Sequence, residues 1–290
     1  MIRIFRPLQT ACVLLLLLGH APGAAADDPV RIGWTPWADG VFVTRLAERL
    51  IEDELGREVE RMEAPISEQY QGIADGRIDV MLMSWQPATH APFLDRIGNR
   101  VEHLGALYDD ARLGWAVPDY VPEDRVDSIA DLANHADAFD QRVVGIDPDA
   151  GLTRLSQAAL GHYQLDDFEL VTSSGPEMTE RLAAAVDREE WVVVTAWNPH
   201  WIFAAHDLRY LRDPDATLGG AERVHALARS GFYADEPEVA RLLTRMYLDL
   251  PSLEQALLIM EQGSESEAVT HYLDHHPEHV DYWLGRTASR

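Results

Sequence analysis

The sequence predicts an α/β fold of two lobes, with a cleft between the lobes and hinge crossovers that join them. Short apolar runs alternate with helical patterns from Val30 onward, which is typical of α/β units built around mostly parallel sheets. Two such sets flank the segment 118–122, Pro-Asp-Tyr-Val-Pro, where the alternation breaks. A strand pattern at 224–228 can then lead the chain back to the first set, and two crossings of this kind form a hinge.

The predicted elements follow this plan along the chain. For the first lobe they are strands at 30–34, 58–62, 78–83, 101–107 and 112–117, with helices at 41–55 and 67–74. For the second lobe they are helices at 128–134, 152–163 and 176–186, with strands at 142–146, 168–172 and 192–195. After the return strand, helices are predicted at 236–248, 253–261, 264–275 and 278–284, with Pro251 and Pro277 as breaks. The predicted boundaries are 27–115 and 221–290 for the first lobe, and 116–220 for the second.

Residues 1–26 have the pattern of a secretory signal peptide. Two arginines precede an apolar core at 11–18, and three alanines at 24–26 precede the acidic Asp27, which predicts export and cleavage after Ala26. The apolar core is too short to span a membrane, which takes about 20 residues. Cys12, the one cysteine, lies inside this core, so the mature chain has no thiol and lipid anchoring is not expected. A periplasmic protein without membrane insertion is predicted.

The charge balance excludes several partners. Loss of two arginines with the signal peptide leaves 22 basic against 49 acidic residues, a formal net charge of −27, and every fixed positive side chain is an arginine. Such a field repels nucleic acid and anionic membrane surfaces. The sequence has no GxSxG elbow and no mature cysteine, so a hydrolase with either nucleophile is not expected. We predict no enzymatic activity and no cofactor.

Three tryptophan-bearing segments each follow a predicted strand. They are GWTPWAD at 33–39, SWQPATH at 84–90 and AWNPHW at 196–201. Ligands of open α/β sheets sit beyond the carboxyl ends of the strands, so Trp37, Trp85 and Trp197 are expected to face one cleft from both lobes. Trp37 is preferred to Trp34 because it lies farther past its strand. The remaining tryptophans are assigned to packing: Trp115, Trp191, Trp201 and Trp283.

This arrangement predicts a cage for a quaternary ammonium group. Such a cation has no N–H to donate, and the negative face of an indole ring attracts it without a hydrogen bond. One tryptophan at a strand end would more often serve packing, but three at the same topological position favour a binding site. We therefore expect the ligand to touch both lobes and to hold them closed.

Two features predict a site for an anionic group of the same ligand. The strand at 142–146 runs into the loop Asp-Pro-Asp-Ala-Gly at 147–151 and then a helix, so the N–H groups of Gly145 and Ile146 could bind an anion. His90, five residues after Trp85, could donate a hydrogen bond to a carboxylate. Either feature alone is common in α/β proteins, and a histidine in a loop is more often only solvated.

The chain resembles the glycine betaine substrate-binding proteins of osmoprotectant ABC importers over essentially its whole mature length. The resemblance rests on SWQPATH, VVGIDPDAG, GLTRLSQAAL, VTSSGPEMTERL and AWNPHWIFAAHDLRYLRDPDATLGG. It implies the type II-like periplasmic binding protein fold, a monomer, and a membrane permease as partner. It also implies that Trp37, Trp85 and Trp197 cage the trimethylammonium group of a betaine, while His90 and the amides of Gly145 and Ile146 bind the carboxylate.

The resemblance leaves the ligand open between a betaine and a close relative. Choline-binding members of the family carry an acidic residue two positions after the first cage tryptophan, where this chain has Asp39. Asp39 is therefore a candidate ligand contact, or it lines the cleft mouth or caps the following helix. Because choline has no carboxylate, His90 favours a betaine. A choline or carnitine receptor of the same fold is the alternative.

A histidine cluster near the carboxyl end gives an alternative of another class. His271, His275, His276 and His279 lie in HYLDHHPEH, and the first two are one helical turn apart. Two histidines at that spacing can share a metal ion. The acidic residues between them also suit a solvated helix face. A metal-binding exported protein is thus kept as an alternative, although no metal is expected at the ligand site itself.

Overall fold

The computed structural model describes residues 28–286, so the predicted signal peptide lies outside the described residues. The strands of this part are β1 (Val30–Trp34), β2 (Val59–Glu63), β3 (Val80–Gln86), β4 (Val101–Pro118), β5 (Arg142–Val144), β6 (Glu169–Val171), β7 (Val194–Asn198), β8 (Leu208–Tyr210) and β9 (Glu222–Arg229). Their order across the sheet is β2-β1-β3-β9-β4-β7-β5-β6, and β8 pairs with β4 outside this path.

Helices pack around this sheet. They are α1 (Ala38–Leu55), α2 (Ile66–Ala74), α3 (Ala91–Ile97), α4 (Gly151–His162), α5 (Gly175–Asp187), α6 (Ile202–Ala205), α7 (Phe232–Asp235), α8 (Pro237–Arg245), α9 (Leu250–Gln262), α10 (Glu265–His275) and α11 (Pro277–Trp283), with two 3₁₀ helices at Ile129–Asn134 and Ala136–Phe139. Within residues 28–286, no helix is long and apolar enough to cross a membrane.

The sheet has two halves that meet in β4. Strands β2, β1 and β3 are parallel, and β9 runs antiparallel between β3 and β4. In the other half β6, β5 and β7 are parallel, and β7 and β8 pair antiparallel with β4. We call the first half with its helices lobe I and the second half lobe II. The prediction of mostly parallel sheets therefore fails at β4 and β9, which run against their neighbours.

Strand β4 carries the chain from lobe I to lobe II without a break. Its residues up to Ala111 pair with β9, whereas those from Arg112 pair with β7. The prediction of two separate strands, at 101–107 and 112–117, was wrong. The polar residues between them suggested a turn, but β-bulges on either side of Tyr108 absorb the irregularity and keep the strand paired.

Three further differences move the strand and helix ends near the cleft. Strands β3 and β7 end three residues later than predicted, so Trp85 and Trp197 are the penultimate residues of their strands rather than loop residues. Helix α1 begins at Ala38, three residues earlier than predicted. The start was missed because this N-terminus lacks the side-chain cap that marks helix starts in a sequence. The short elements α3, α6, α7 and β8 were not predicted.

The structure has two hydrophobic cores. The smaller core lies within lobe II and includes Trp115 and Val143. The larger core fills lobe I, takes in the C-terminal helices and continues across the cleft into lobe II, where it includes Leu152 and Met178. The three predicted cage tryptophans belong to this larger core, which fixes their indole rings by packing on their outer sides.

Candidate functional site

A cavity between the lobes contains most of the predicted site residues. Its empty volume, which includes space open to solvent, is about 290 Å³. Its walls are formed by Trp37, Trp85, Thr89, His90, Leu113, Ile146, Ala150, Gly151, Leu152 and Trp197. These residues come from β3, β4, β7, the residue before α1, the loops after β3 and β5 and the start of α4, so both lobes contribute to one cavity.

The three tryptophans at 37, 85 and 197 converge on this cavity. Their side chains are 6%, 3% and 3% exposed, which shows that the lobes are closed over them. Trp37 precedes the first turn of α1, and the other two end β3 and β7, where a proline two residues later stops the pairing. His200 packs edge-on against the ring of Trp197 at 4.4 Å between centroids, which fixes that indole from the side of lobe II.

The remaining tryptophans are not part of the cavity wall. Trp115 is fully buried and donates its indole N–H to Ser156 at 2.9 Å. Trp283 stacks on Tyr272, Trp191 contacts Phe139, and Trp201 packs against the lobe I core. Trp34 instead carries the guanidinium of Arg61 over its ring. These positions agree with the assignment of the four later tryptophans to packing, and with the choice of Trp37 over Trp34.

His90 points a neutral imidazole at the cavity. Its Nδ1 accepts the backbone N–H of Trp85 at 3.1 Å, which places the ring hydrogen on Nε2 in the neutral tautomer. Burial, assisted by the charge of Arg154, lowers the pKa of His90 to about 3. The rings of Tyr70 and Phe93 pack edge-on against the imidazole. His90 is therefore a fixed, uncharged N–H donor throughout the physiological pH range.

The predicted pair of backbone donors is only half present. The N–H of Gly145 donates to the carbonyl of Val171 at 2.9 Å and extends the β5–β6 pairing, and Gly145 is not part of the cavity wall. A Cβ at this position would lie 3.0 Å from Leu170, so the glycine serves packing. Ile146 lines the cavity, and its N–H donates to no residue that the structure describes.

The start of helix α4 supplies further donors that the sequence analysis missed. Gly151 and Leu152 lie in its first turn and line the cavity. Amides of a first helical turn have no intrahelical acceptor, and the helix dipole adds positive potential there. Together with Ile146 and His90, this end of the cavity favours an anion. The signal was available in the sequence as Gly151, which ends the predicted loop and directly precedes the predicted helix.

Asp39 lies next to the cage but does not line the cavity. It is fully buried in the first turn of α1, and its carboxylate accepts hydrogen bonds from the Tyr108 hydroxyl and from Trp197 Nε1, the latter at 2.9 Å. Burial raises the pKa of Asp39 to about 6, although both hydrogen bonds act to lower it. The expected position of Asp39 at the cleft mouth was wrong, because the residue is fully buried. The expected N-cap role was also wrong, because α1 starts one residue before Asp39.

Several contacts close the cleft outside the cavity. Asp149 of lobe II accepts hydrogen bonds from the N–H and the hydroxyl of Ser67 of lobe I, at 3.2 and 2.9 Å. Arg154 of α4 donates to the carbonyl of Thr89 at 3.1 Å. The same Thr89 is held within lobe I by Glu222, which accepts from its N–H and its hydroxyl. These bonds tie α4 to the loop that carries His90.

The C-terminal histidines lie in another part of the fold. His271 and His275 stack at 3.9 Å, but Nδ1 of His275 is bonded to the carbonyl of His271. The donor atoms that do approach one another are those of His276, Glu278 and His279, which lie within 4.8 Å. They belong to the junction of α10 and α11 and are not part of the cavity wall. The pair singled out by its spacing is thus not the cluster that the fold forms.

Comparison with known proteins gives a family for this chain. A family model described as the substrate-binding domain of ABC-type glycine betaine transport systems matches residues 28–275. The chain is 33% identical over 144 residues to the glycine betaine/carnitine transport binding protein GbuC of Listeria monocytogenes. That alignment covers 49% of this chain and 48% of GbuC, so it spans about half the length of this curated relative.

Two solved structures have the same fold. A lactococcal OpuAC, crystallised in a closed conformation with glycine betaine, has a TM-score of 0.82 and 31% identity, and the match covers 89% of this chain and all (100%) of that one. A choline-binding protein of an ABC transporter, in complex with choline, also has a TM-score of 0.82, with 26% identity and coverage of 90% and 93%. These matches confirm the predicted two-lobe fold of the periplasmic binding protein type.

Proposed function

The chain belongs to the family of substrate-binding domains of ABC-type glycine betaine transport systems, and from this premise we propose that it captures glycine betaine or a related betaine in the cavity between its lobes. The proposal rests on one observation above all: three buried indoles from both lobes line one cavity together with a neutral histidine and an unpaired backbone N–H. The indoles form a site for a methylated cation, and the N–H groups form a site for a carboxylate. A zwitterion that carries both groups fits this cavity.

The cationic end of the ligand would lie among Trp37, Trp85 and Trp197. Each cation–π contact contributes about 0.5 to 2 kcal/mol, and more when the site excludes water. Micromolar binding corresponds to about 8 kcal/mol. Three such contacts and the buried methyl groups can supply this after the ordering costs of binding are met. The methyl groups would displace water from the indole faces.

The carboxylate would accept hydrogen bonds from His90 Nε2 and from the N–H of Ile146, near the first turn of α4. This set has no protonated histidine, because burial lowers the pKa of His90 to about 3. Recognition of the carboxylate therefore depends on dipoles and N–H groups that the fold holds in place. Choline has no carboxylate to use them, which supports a betaine over the choline alternative.

Ligand capture would proceed by closure of the two lobes without a chemical step. We propose that the lobes are divided near residues 116 and 220, which is supported by the change of partners along β4 at Arg112 and by the return of the chain in β9. A ligand that contacts both lobes binds the closed state better than the open one and shifts the equilibrium toward it. The closed form would then be recognised by a membrane permease.

The remaining parts of the proposal concern location and assembly. The family acts outside the cytoplasm, and we propose a periplasmic protein, released by cleavage after Ala26, that acts as a monomer without cofactor or enzymatic activity. The acidic composition, with a formal net charge of −25 for the whole chain, supports the absence of nucleic acid among its partners.

The test is a titration of the mature protein followed by intrinsic tryptophan fluorescence. Glycine betaine should give a saturable change, because cage indoles report directly on the ligand. Choline in a parallel titration should bind more weakly, and glycine, which has the carboxylate but no methyl groups, should give no change. Tight binding of choline without binding of glycine betaine would replace the betaine proposal with the choline alternative.

A further inference from the structure

Two of the three cage tryptophans donate their indole N–H to a carboxylate of the opposite lobe. Trp37 of lobe I donates to Asp147 of lobe II at 2.8 Å between Nε1 and Oδ2. Trp197 of lobe II donates to Asp39 of lobe I at 2.9 Å between Nε1 and Oδ1. The two bonds are reciprocal, and each crosses the cleft. Neither aspartate is part of the cavity wall.

Asp39 is committed to these contacts. Its side chain is fully buried, one oxygen accepts from Trp197, and the other accepts from the hydroxyl of Tyr108. A buried carboxylate is costly unless it is hydrogen-bonded. Separation of the lobes would remove the donor that Trp197 supplies and leave Tyr108 as the side-chain donor. Asp39 therefore favours the closed arrangement, and each of its oxygens already accepts a hydrogen bond from a side chain of this protein.

The same bonds act on the indole rings themselves. An N–H group that donates to an anion is polarised toward it, and this increases the electron density of the attached ring. A ring with more electron density attracts a cation more strongly over its face. In addition, each carboxylate places a negative charge close to the cage without using any of the cage surface.

We propose that Asp39 and Asp147 are positioning residues of the tryptophan cage, which fix and polarise Trp197 and Trp37 only when the lobes close. This inference rests on the proposed function, in that the cage is taken to bind a methylated cation. It assigns Asp39 a role through Trp197 and not as a contact of a ligand hydroxyl. It also makes closure and cage assembly a single event.

The first experiment measures binding of tetramethylammonium, which has neither a carboxylate nor a hydroxyl group. Asp39→Asn and Asp147→Ala are each expected to weaken its binding by about tenfold, as expected for loss of a hydrogen bond to a charged group. Glycine betaine and choline should lose affinity by the same factor, since the effect acts through the indoles. A loss confined to choline would show that Asp39 contacts the ligand hydroxyl and would overturn the inference.

Asp149→Ala is the matched control. Asp149 lies two residues from Asp147 and also crosses the cleft, but its partner is Ser67 and not an indole. It should change tetramethylammonium binding by less than about threefold, as for an exposed or half-exposed polar contact. If Asp149→Ala lowers the affinity for tetramethylammonium as much as Asp147→Ala does, any hydrogen bond across the cleft contributes equally to binding. The special role of the two indole bonds would then be rejected.

A second measurement follows the two indoles directly, in the protein with saturating tetramethylammonium and in the protein without ligand. The indole N–H signals of Trp37 and Trp197, assigned by single Trp→Phe variants in ¹H–¹⁵N spectra, should move when Asp147 and Asp39, respectively, are replaced. If the wild type binds none of the three probes but the signals respond as expected, the proposed function fails and the carboxylate contacts stand. If tetramethylammonium binds and the signals of Trp37 and Trp197 in the bound protein are unaffected by these replacements, the inference fails.

Discussion

Trp197 has two functions in the closed cleft, because its ring lines the cavity while its indole N–H reaches Asp39 in the other lobe. Its position is fixed by residues that do not touch the cavity, notably His200 on one side. Removal of this side chain should therefore affect binding far more than folding, since the fold of lobe II is stabilised by its own core around Trp115.

Trp197→Ala is expected to weaken binding of glycine betaine by about tenfold to a hundredfold, the range typical of a central aromatic residue in a binding site. The measurement is a calorimetric titration, with thermal unfolding to confirm that the variant is folded. Trp201→Ala is the control, because this residue lies in the same segment but packs outside the cavity. Similar losses in both variants would remove Trp197 from the cage.

His90→Ala should separate the two ends of the ligand. Glycine betaine is expected to lose at least about tenfold in affinity, because its carboxylate loses an N–H donor inside a buried site. Tetramethylammonium, which has no carboxylate, should lose less than about threefold. Equal losses for both compounds would show that His90 supports the cage by packing and does not bind the carboxylate.

Residues of the candidate site could be chosen from the sequence where their type has few other uses. Trp37, Trp85, Trp197 and His90 could be singled out because indoles and a histidine beyond strand ends have few other purposes in that arrangement. Gly145 could not be assigned correctly, since its N–H is claimed by a partner strand that no local pattern reveals. Asp39 was misplaced because its role depends on Tyr108 and Trp197, which are distant in sequence and meet only in the closed fold.

Among the helices, α4 of lobe II makes the close contact with lobe I that accompanies closure of the lobes. Its first residue, Gly151, packs so closely on lobe I that a Cβ would lie 2.4 Å from Cγ2 and 2.8 Å from the carbonyl oxygen of Thr89. Contacts this short do not occur between real side chains and backbone. The glycine is therefore required by the approach of the lobes and not by the helix itself, which would gain from an alanine.

Gly151→Ala is expected to lower the affinity for glycine betaine by more than about tenfold, because the added methyl group obstructs full closure over the ligand. Gly161→Ala, near the other end of the same helix, has no atom within 4 Å of the added Cβ and should leave affinity unchanged. Calorimetric titration of both variants tests this. Unchanged affinity in Gly151→Ala would mean that closure does not bring α4 against Thr89.

The predicted boundaries were accurate for elements with clear local patterns, such as β1 and α10, and less accurate where the chain changes lobes. Strand β4 was predicted as two strands because the apolar pattern breaks at residues 108–111, whereas long-range pairing with β9 and β7 keeps the chain extended there. The antiparallel direction of β9 likewise depends on its position in the sheet, between β3 and β4, which are distant in sequence. Neither feature is encoded in the local sequence.

For the molecule as a whole, two buried histidines connect stability to pH. Burial lowers the pKa of both His90 and His200 to about 3, below the ordinary value of about 6.5. The folded state therefore binds fewer protons than the unfolded chain between these values, and the stability that both groups contribute is present above pH of about 6.5 and lost as the pH falls toward 3. Asp39 acts in the opposite direction, because burial raises its pKa to about 6.

Two histidines with larger shifts outweigh one aspartate, so the free energy of unfolding is expected to fall by several kcal/mol between about pH 6.5 and 4. His200→Asn should reduce this fall, since an asparagine oxygen can accept the N–H of Ile202 as Nδ1 does now without gaining a proton. Urea unfolding of both proteins across this range measures the difference. Parallel pH profiles would show that His200 is not buried in its neutral form.

The crystal structure of the mature protein with glycine betaine tests the central proposal most directly. The trimethylammonium group should lie within about 6 Å of the ring centroids of Trp37, Trp85 and Trp197, and the carboxylate should accept hydrogen bonds of about 2.7 to 3.2 Å from His90 Nε2 and the Ile146 N–H. A ligand bound with its carboxylate toward the indoles, or bound outside the cavity, would contradict the proposed mode of capture.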